Sequence, residues 1–394
     1  MPGIRSVEAA DVAGKRVLCR VDFNVPVKDG LVVDDTRIKA ALPTIEYLLG
    51  KGARLVLMSH LGRPAGTGYE EAYSLRPVAR RLGELLGEEV VFSEDIVGAD
   101  ASAKADALAP GEAMLLENLR FDAREKENDP GFCQELAALG DLYVDDAFGT
   151  SHRAHASTAG VAALLPAYAG FLLLREVETL NGMLESPKRP FVAVLGGSKV
   201  SDKIKVIDAL IDKCDVLVIG GGMCFTFLLA EGLKVGTSLK EEDWVAPCAQ
   251  MLARAKAAGT EVLLPLDVVV ADRFAPDART LTVAADAIPD DMMGLDIGPE
   301  SAGLFARAIA GAQTVFWNGP MGVFEMEAFE AGTKAVAQAV ADTQADTIIG
   351  GGDSVAAVNK FGLADKMTFI STGGGASMEL VQGEALPGVV ALQQ

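Results

Sequence analysis

Phe191-Val192-Ala193-Val194-Leu195-Gly196-Gly197-Ser198-Lys199-Val200-Ser201-Asp202-Lys203 decides the fold by its order of residue types. Five apolar residues run without alternation, as in a strand covered on both faces. A glycine pair then turns the chain, and the amphipathic stretch Ser201–Lys213 predicts a helix. Strand, turn and helix in that order form the repeating unit of a parallel sheet with right-handed crossovers. The unit recurs along the whole chain. Further candidate strands are Arg16–Val21, Arg54–Met58, Ala113–Leu116, Leu142–Val144, Val216–Ile219, Asp267–Val270, Thr314–Trp317, Thr347–Ile349 and Thr368–Ile370. Helices are predicted over Thr36–Leu49, Pro77–Leu86 and Pro299–Ala310. The fold class is therefore α/β, with parallel sheets covered by helices.

The polar phrases fall at one place in this pattern. Asp22-Phe23-Asn24, Ser59-His60-Leu61-Gly62-Arg63 and Glu117-Asn118-Leu119-Arg120 each follow a candidate strand. So do the lysine loop, Gly220-Gly221-Gly222, Trp317-Asn318-Gly319-Pro320, Gly350-Gly351-Gly352-Asp353 and Ser371-Thr372-Gly373-Gly374-Gly375. Open parallel sheets bind ligands beyond the carboxyl ends of their strands. Structural glycine turns alone could sit at either end, so a shared end argues for a site.

The 394 residues suggest two domains, and half of them are hydrophobic, enough for a core in each. The long helix Phe171–Leu184 ends at Ser186-Pro187-Lys188-Arg189-Pro190, where two prolines stop it, and the domain change is expected there. A formal net charge of −20 argues against nucleic acid and against an anionic membrane surface as partners. The five cysteines lie far apart without a CxxC pair, which suits a reducing compartment and leaves no zinc-type ligand set. The N-terminus lacks an apolar signal core, and no apolar run reaches the ~18 residues of a membrane span. A soluble cytoplasmic protein is expected.

Against that acidic background, all three histidines sit in two phrases that also carry arginine, Ser59–Arg63 and Ser151-His152-Arg153-Ala154-His155. Arg37, His60, Arg63, Arg120, His152 and Arg153 read as a site for a small, multiply charged anion, because guanidinium binds carboxylate or phosphate bidentately. Taken singly, each arginine could instead be a solvated residue, and His152 or His155 a hydrogen-bonded structural histidine. Asp22 and Asn24 could bind the hydroxyls of a hydroxy acid, or could simply form the turn after their strand.

In the second half, Gly196 and Gly197 would let backbone approach phosphate, with Lys199 and Lys203 one helical turn apart to reach it. The plain alternative is a tight turn with surface lysines. Asp353 is a candidate magnesium ligand or a helix N-cap. The amides of Gly373–Gly375 could receive a transferring group. Glu325 could bind ribose hydroxyls or stand as an ordinary exposed acid. The P-loop pattern, the G-x-G-x-x-G fingerprint and the G-x-S-x-G elbow are all absent from the sequence.

Together these phrases resemble the phosphoglycerate kinase family over essentially the whole chain. The resemblance rests on Arg20-Val21-Asp22-Phe23-Asn24-Val25-Pro26, Ser59–Pro64, Asp146-Ala147-Phe148-Gly149-Thr150, the lysine loop, Trp317–Glu325, Gly350–Ser354 and Ser371–Gly375, in the family's order. It implies two Rossmann-like domains. Residues 1–170 would bind 3-phosphoglycerate or 1,3-bisphosphoglycerate, 171–190 would form the connecting helix and hinge, 191–375 would bind ADP or ATP with Mg2+, and 376–394 would pack back on the first domain. Substrate would meet Asp22, Phe23, Asn24, Arg37, His60, Leu61, Gly62, Arg63, Arg120 and Arg153. Nucleotide would meet Gly196, Lys199, Lys203, Gly294, Asn318, Glu325, Gly351, Gly352, Asp353 and Ser354, with Asp353 on the metal. Arg37, Lys199, Lys203 and the Gly373, Gly374 and Gly375 amides would hold the transferring phosphoryl. The implied activity is reversible, in-line phosphoryl transfer between 1,3-bisphosphoglycerate and ADP in a monomer that closes about its hinge. The alternative is a non-catalytic nucleotide- or anion-binding relative. Asp145 stands where the family often has Asn, and Met378 and Val381 replace commoner leucines.

Overall fold

The strand Phe191–Leu195 forms as its residues dictate, fully buried over its length, and takes a central place in a six-stranded parallel sheet. Its neighbours are Val216–Ile219 on one side and Thr314–Asn318 on the other. The sheet continues outward to Glu261–Leu263 at one edge and through Asp346–Ile349 to Phe369–Ile370 at the other. A second six-stranded parallel sheet is built from the first half of the chain. Its order is Val90–Phe92, Ala113–Leu115, Arg54–Met58, Arg16–Arg20, Leu142–Asp145 and Ala167–Ala169. The computed structural model describes residues 3–393.

Residues up to Thr179, together with the segment from Ala385 onward, make one compact unit, and Leu180–Glu384 make the other. The boundary lies within the helix Phe171–Glu185 rather than in the proline-flanked stretch after it. The C-terminal return also starts later than residue 376. The helix Gly375–Val381 stays with the second unit, packing on the helix Ile204–Leu210, and Glu384 pairs with Lys205 at 2.7 Å. Only beyond Ala385 does the chain join the first unit, where the Gly388 amide donates to the Ser151 carbonyl at 2.9 Å.

Two expectations fail locally. Asp267–Ala271 is not part of the parallel sheet; it is the middle strand of a three-stranded antiparallel sheet with Thr280–Ala284 and Met293–Ile297. Its valine run is buried like a central parallel strand, which is why the sequence pattern does not separate the two cases. The buried Asp267 carboxylate accepts from the amides of Glu300 and Ser301 at 3.1 and 2.7 Å, starting the helix Pro299–Ala310. The helix expected over Ser201–Lys213 shrinks to Ile204–Leu210. Its first turn is lost because the Ser201 amide and hydroxyl both go to Glu241, at 2.9 and 2.6 Å. Lys199 and Lys203 therefore both precede the helix.

Candidate functional site

In the first unit the strand ends set the geometry. After Arg16–Arg20, the buried Phe23 donates its amide to Ser59 Oγ at 2.9 Å, tying the Asp22–Asn24 turn to the end of Arg54–Met58. Asn24 Oδ1 accepts from the Gly62 amide at 2.8 Å, and Asp22 Oδ1 from the Asn24 amide at 3.3 Å. Both side chains thus build the turn, as in the plainer of their two readings. Asn118 accepts from the Leu61 amide at 3.2 Å and donates to its carbonyl at 2.8 Å. Arg120, buried, donates to the Gly62 carbonyl at 2.7 Å, while its Nε has no partner among the described residues.

The charges converge on His60. Arg37 pairs with Asp22 at 2.6 Å. His60 is itself 4 % exposed. Burial, followed by the fields of Arg20, Arg120, Arg37 and Arg153, holds its imidazole well below the ordinary histidine range. Burial, with the nearby Arg153 and Arg20, also lowers the Arg120 guanidinium to about 10. Arg153 is exposed and donates through Nε to His152 Nε2 at 3.1 Å. Arg63 is exposed and makes no ion pair among the described residues. His155 is structural: its amide donates to Thr158 Oγ1 at 3.1 Å, its Nδ1 lies 3.7 Å from the buried Glu125, and burial lowers it to about 4. A neutral histidine among guanidinium groups attracts an anion and repels a metal ion.

The second unit assembles a cavity of about 740 Å3. Gly197, Ser198, Gly294, Glu325 and Asp353, far apart in the chain, all line it. Backbone packs on backbone beneath. The Gly196 amide donates to the Asn318 carbonyl at 3.0 Å, Gly197 to Pro320 at 3.1 Å and Gly221 to Met321 at 3.1 Å. Gly319 has a φ of 101°, and a Cβ there would run into the Gly196 carbonyl. Gly196 and Gly197 therefore serve loop packing. Lys199 is exposed; Lys203 is half-buried, donates to Asn318 Oδ1, and is lowered by burial.

Asn318 is buried and bridges onward, donating to the Gly350 carbonyl at 2.7 Å. Ser354 is also buried, and its Oγ accepts from the Gly319 amide at 2.6 Å. Gly294 sits in the antiparallel sheet, its amide on Ser238 Oγ at 2.9 Å. Gly351, with φ 86°, and Gly352 open the helix Gly352–Lys360. Asp353 is the second residue of that helix, within its first turn, and the N-cap position is held by Gly351 instead. Gly373 donates to Ser371 Oγ at 3.2 Å, while Gly374 and Gly375 start the last helix of this unit. Residues missed by the sequence reading support these loops from a distance. Glu241 holds Ser201, Thr333 Oγ1 accepts from the Met321 and Gly322 amides at 3.0 and 3.2 Å, and Arg20 contacts His60.

An anion cluster on one parallel sheet and, in the other unit, a glycine-walled cavity lined by the carboxylates of Glu325 and Asp353 fit an α/β phosphotransferase. The family model described as phosphoglycerate kinase matches residues 7–384. The phosphoglycerate kinase of Moorella thermoacetica is 60 % identical over 384 residues, covering 98 % of each chain. That of Synechococcus sp. (strain WH7803) is 57 % identical over 394 residues, covering 99 % of this chain and 98 % of its own. The solved structure of phosphoglycerate kinase from Coxiella burnetii superimposes with a TM-score of 0.92 at 45 % identity, covering 99 % of this chain and 98 % of that one. The chain belongs to the phosphoglycerate kinase family.

Proposed function

We propose that the first unit binds 3-phosphoglycerate or 1,3-bisphosphoglycerate and that the second binds ADP or ATP with Mg2+. The overall reaction is the family's, a reversible phosphoryl transfer in glycolysis. In the ATP-forming direction a terminal oxygen of ADP bonds to the acyl phosphorus. The bond from phosphorus to the C1 oxygen breaks, and the carboxylate of 3-phosphoglycerate leaves. Both nucleophiles, forward and reverse, are already anions, so no general base is needed. The protein must supply alignment and charge stabilisation.

Arg37 has that role on the phosphoglycerate side, with His60, Arg63, Arg120 and Arg153 holding the substrate's anionic groups. Asp22 and Asn24 shape the turn that presents them. On the nucleotide side Lys199, Lys203 and the amides at Gly374 and Gly375 face the transferring group. Glu325 and the Gly294 backbone flank the nucleoside. Asn318, Ser354 and the 196–197 glycines act by positioning these loops.

Asp353 fits a magnesium ligand. It is exposed, lines the cavity, makes no ion pair among the described residues and does not cap its helix. Mg2+ is commonly held by one or two carboxylates together with substrate phosphates. When bound, the ion would neutralise phosphate charge. A cytoplasmic monomer goes with this reading. No helix among the described residues is long and apolar enough to cross a membrane.

The observation that carries the reading is the cavity on which Gly197, Gly294, Glu325 and Asp353 converge. A coupled assay for ATP- and Mg2+-dependent phosphorylation of 3-phosphoglycerate tests it. Binding of both ligands with no turnover would instead favour a non-catalytic relative.

A further inference from the structure

His60 has a buried partner outside the anion cluster's surface. Arg20 is 1 % exposed at the end of the strand Arg16–Arg20. Its Nη2 lies 3.1 Å from His60 Nδ1. Its Nε donates to Ser157 Oγ at 2.9 Å, and its Nη1 donates to the Val21 carbonyl. Ser157, fully buried, donates its hydroxyl to Glu125 Oε1 at 2.6 Å, and its amide donates to Oε2 of the same carboxyl at 3.0 Å. Glu125, Ser157, Arg20 and His60 thus form one continuous buried chain.

The direction of that chain is fixed by chemistry. Guanidinium is a donor only. The ring nitrogen facing it must therefore be the acceptor, so Nδ1 carries no proton. In a neutral imidazole the proton then sits on Nε2. At its other end Ser157 has one hydroxyl proton. It accepts from Arg20, so it gives that proton to Glu125. One contact points the other way: His60 Nδ1 lies 3.9 Å from Asp22 Oδ1, a pairing that would favour a protonated ring. That distance is too long for a hydrogen bond. Asp22 is also already engaged by Arg37 at 2.6 Å and by the Asn24 amide. Around the ring, Arg20, Arg37, Arg120 and Arg153 all oppose protonation. The Arg20 contact decides the tautomer.

We propose that Arg20, oriented by Ser157 and Glu125, is a positioning residue that locks His60 in the Nε2–H tautomer and so presents a neutral hydrogen-bond donor to the bound anion. This rests on the anion-site reading of the first unit. An acceptor nitrogen aimed at a carboxylate or phosphate oxygen would repel it, whereas a donor binds it. An imidazolium would be costly among four guanidinium groups. The neutral donor lets His60 bind the anion without itself carrying a charge.

The test is nitrogen-15 NMR of histidine-labelled full-length protein, with His60 assigned by His60→Gln. The wild type is expected to show the neutral Nε2–H pattern at His60 at pH 7. Arg20→Met should give mixed tautomers, and Arg20→Lys should restore part of the preference. Should Arg20→Met fail to fold, Ser157→Ala loosens the same arginine with less loss of packing. The KM for 3-phosphoglycerate should rise roughly tenfold in these variants, the cost of a mispaired charged hydrogen bond, with kcat changing less. A wild-type ring that is Nδ1–H or protonated at pH 7 overturns the proposal. So does a folded Arg20→Met protein whose tautomer is unchanged. If the tautomer behaves as expected but added 3-phosphoglycerate leaves the His60 signals unmoved, the positioning stands and the anion-site reading falls.

Discussion

At the residue scale, Arg37 and Asp353 separate chemistry from structure. Arg37 is a partly exposed arginine whose ion pair is with Asp22. Arg37→Ala should leave the fold intact and reduce turnover by roughly 10³–10⁵, the range for arginines that stabilise phosphoryl transfer. Steady-state kinetics decide it, and a variant keeping about a tenth of wild-type turnover, far above that range, would falsify the role. Asp353 is not the N-cap of its helix and makes no ion pair among the described residues, so Asp353→Asn should leave thermal stability near wild type. It should weaken calorimetric binding of magnesium ADP while leaving that of 3-phosphoglycerate alone. Asp145 differs in kind. It is fully buried, accepts from the Ala147 amide at 2.9 Å and has an unpartnered Oδ2 among the described residues. Burial pushes its carboxyl up to about 6. A raised carboxyl favours folding below the unfolded-state pKa, and that contribution is lost as pH rises through the folded-state value. Ionising Asp145 therefore destabilises the protein between about pH 4 and 6, by at most about 3 kcal/mol. Asp145→Asn lacks this titration. The difference in Tm between variant and wild type should move in the variant's favour across that window and stay flat above it. A difference independent of pH from 4 to 8 would refute the assignment.

At the element scale, legibility followed the range of the forces. Phe191–Leu195 and Pro299–Ala310 are readable to the residue, because an apolar run ended by glycine and a Pro-started amphipathic run are local signals. The loops at the strand ends are readable for the same reason. What escaped depends on partners distant in sequence. The helix after Lys203 loses its first turn to Glu241, and Asp267 is drawn from the parallel sheet into pairing with Thr280–Ala284 and Met293–Ile297. Arg20 looks like the polar end of an apolar strand until Ser157, 137 residues away, is brought beside it. Residue type signals that a loop can hold phosphate, but not which of its amides remain unpaired. Gly196 and Gly197 are spent on the 318–320 loop. That packing makes Gly319 the most sensitive residue of the loop. An alanine there meets both a positive φ and the Gly196 carbonyl. Gly319→Ala should cost about 2–4 kcal/mol. Denaturant melts should show this loss together with weaker nucleotide binding, whereas Gly232→Ala, also at positive φ but with open space around its Cβ, should lose stability alone.

At the scale of the whole molecule, the formal charge of −20 sets anionic substrates against the protein's long-range field. Capture must then come from the local cluster, and added salt should weaken the repulsion as well as the attraction. The two proposed ligands belong to separate compact units, one ending at Thr179 and rejoined at Ala385, the other spanning Leu180–Glu384. On the proposed assignment of residues, neither unit carries all the groups the reaction needs. Reacting atoms must approach to about 3–3.5 Å, and an acyl phosphate must be kept from water while they do. A ligand shifts a conformational equilibrium only by its differential affinity for the two states. One ligand interacting with one unit supplies part of that difference, and the ternary complex supplies the rest. Small-angle scattering on the free, singly liganded and doubly liganded protein should therefore give its smallest radius of gyration with 3-phosphoglycerate and a magnesium nucleotide bound together. Each single ligand should produce an intermediate or negligible change. Identical scattering from all four states at saturation would mean that ligand-driven closure is not the assembly step, and the catalytic groups of both units would have to be in register before substrate arrives.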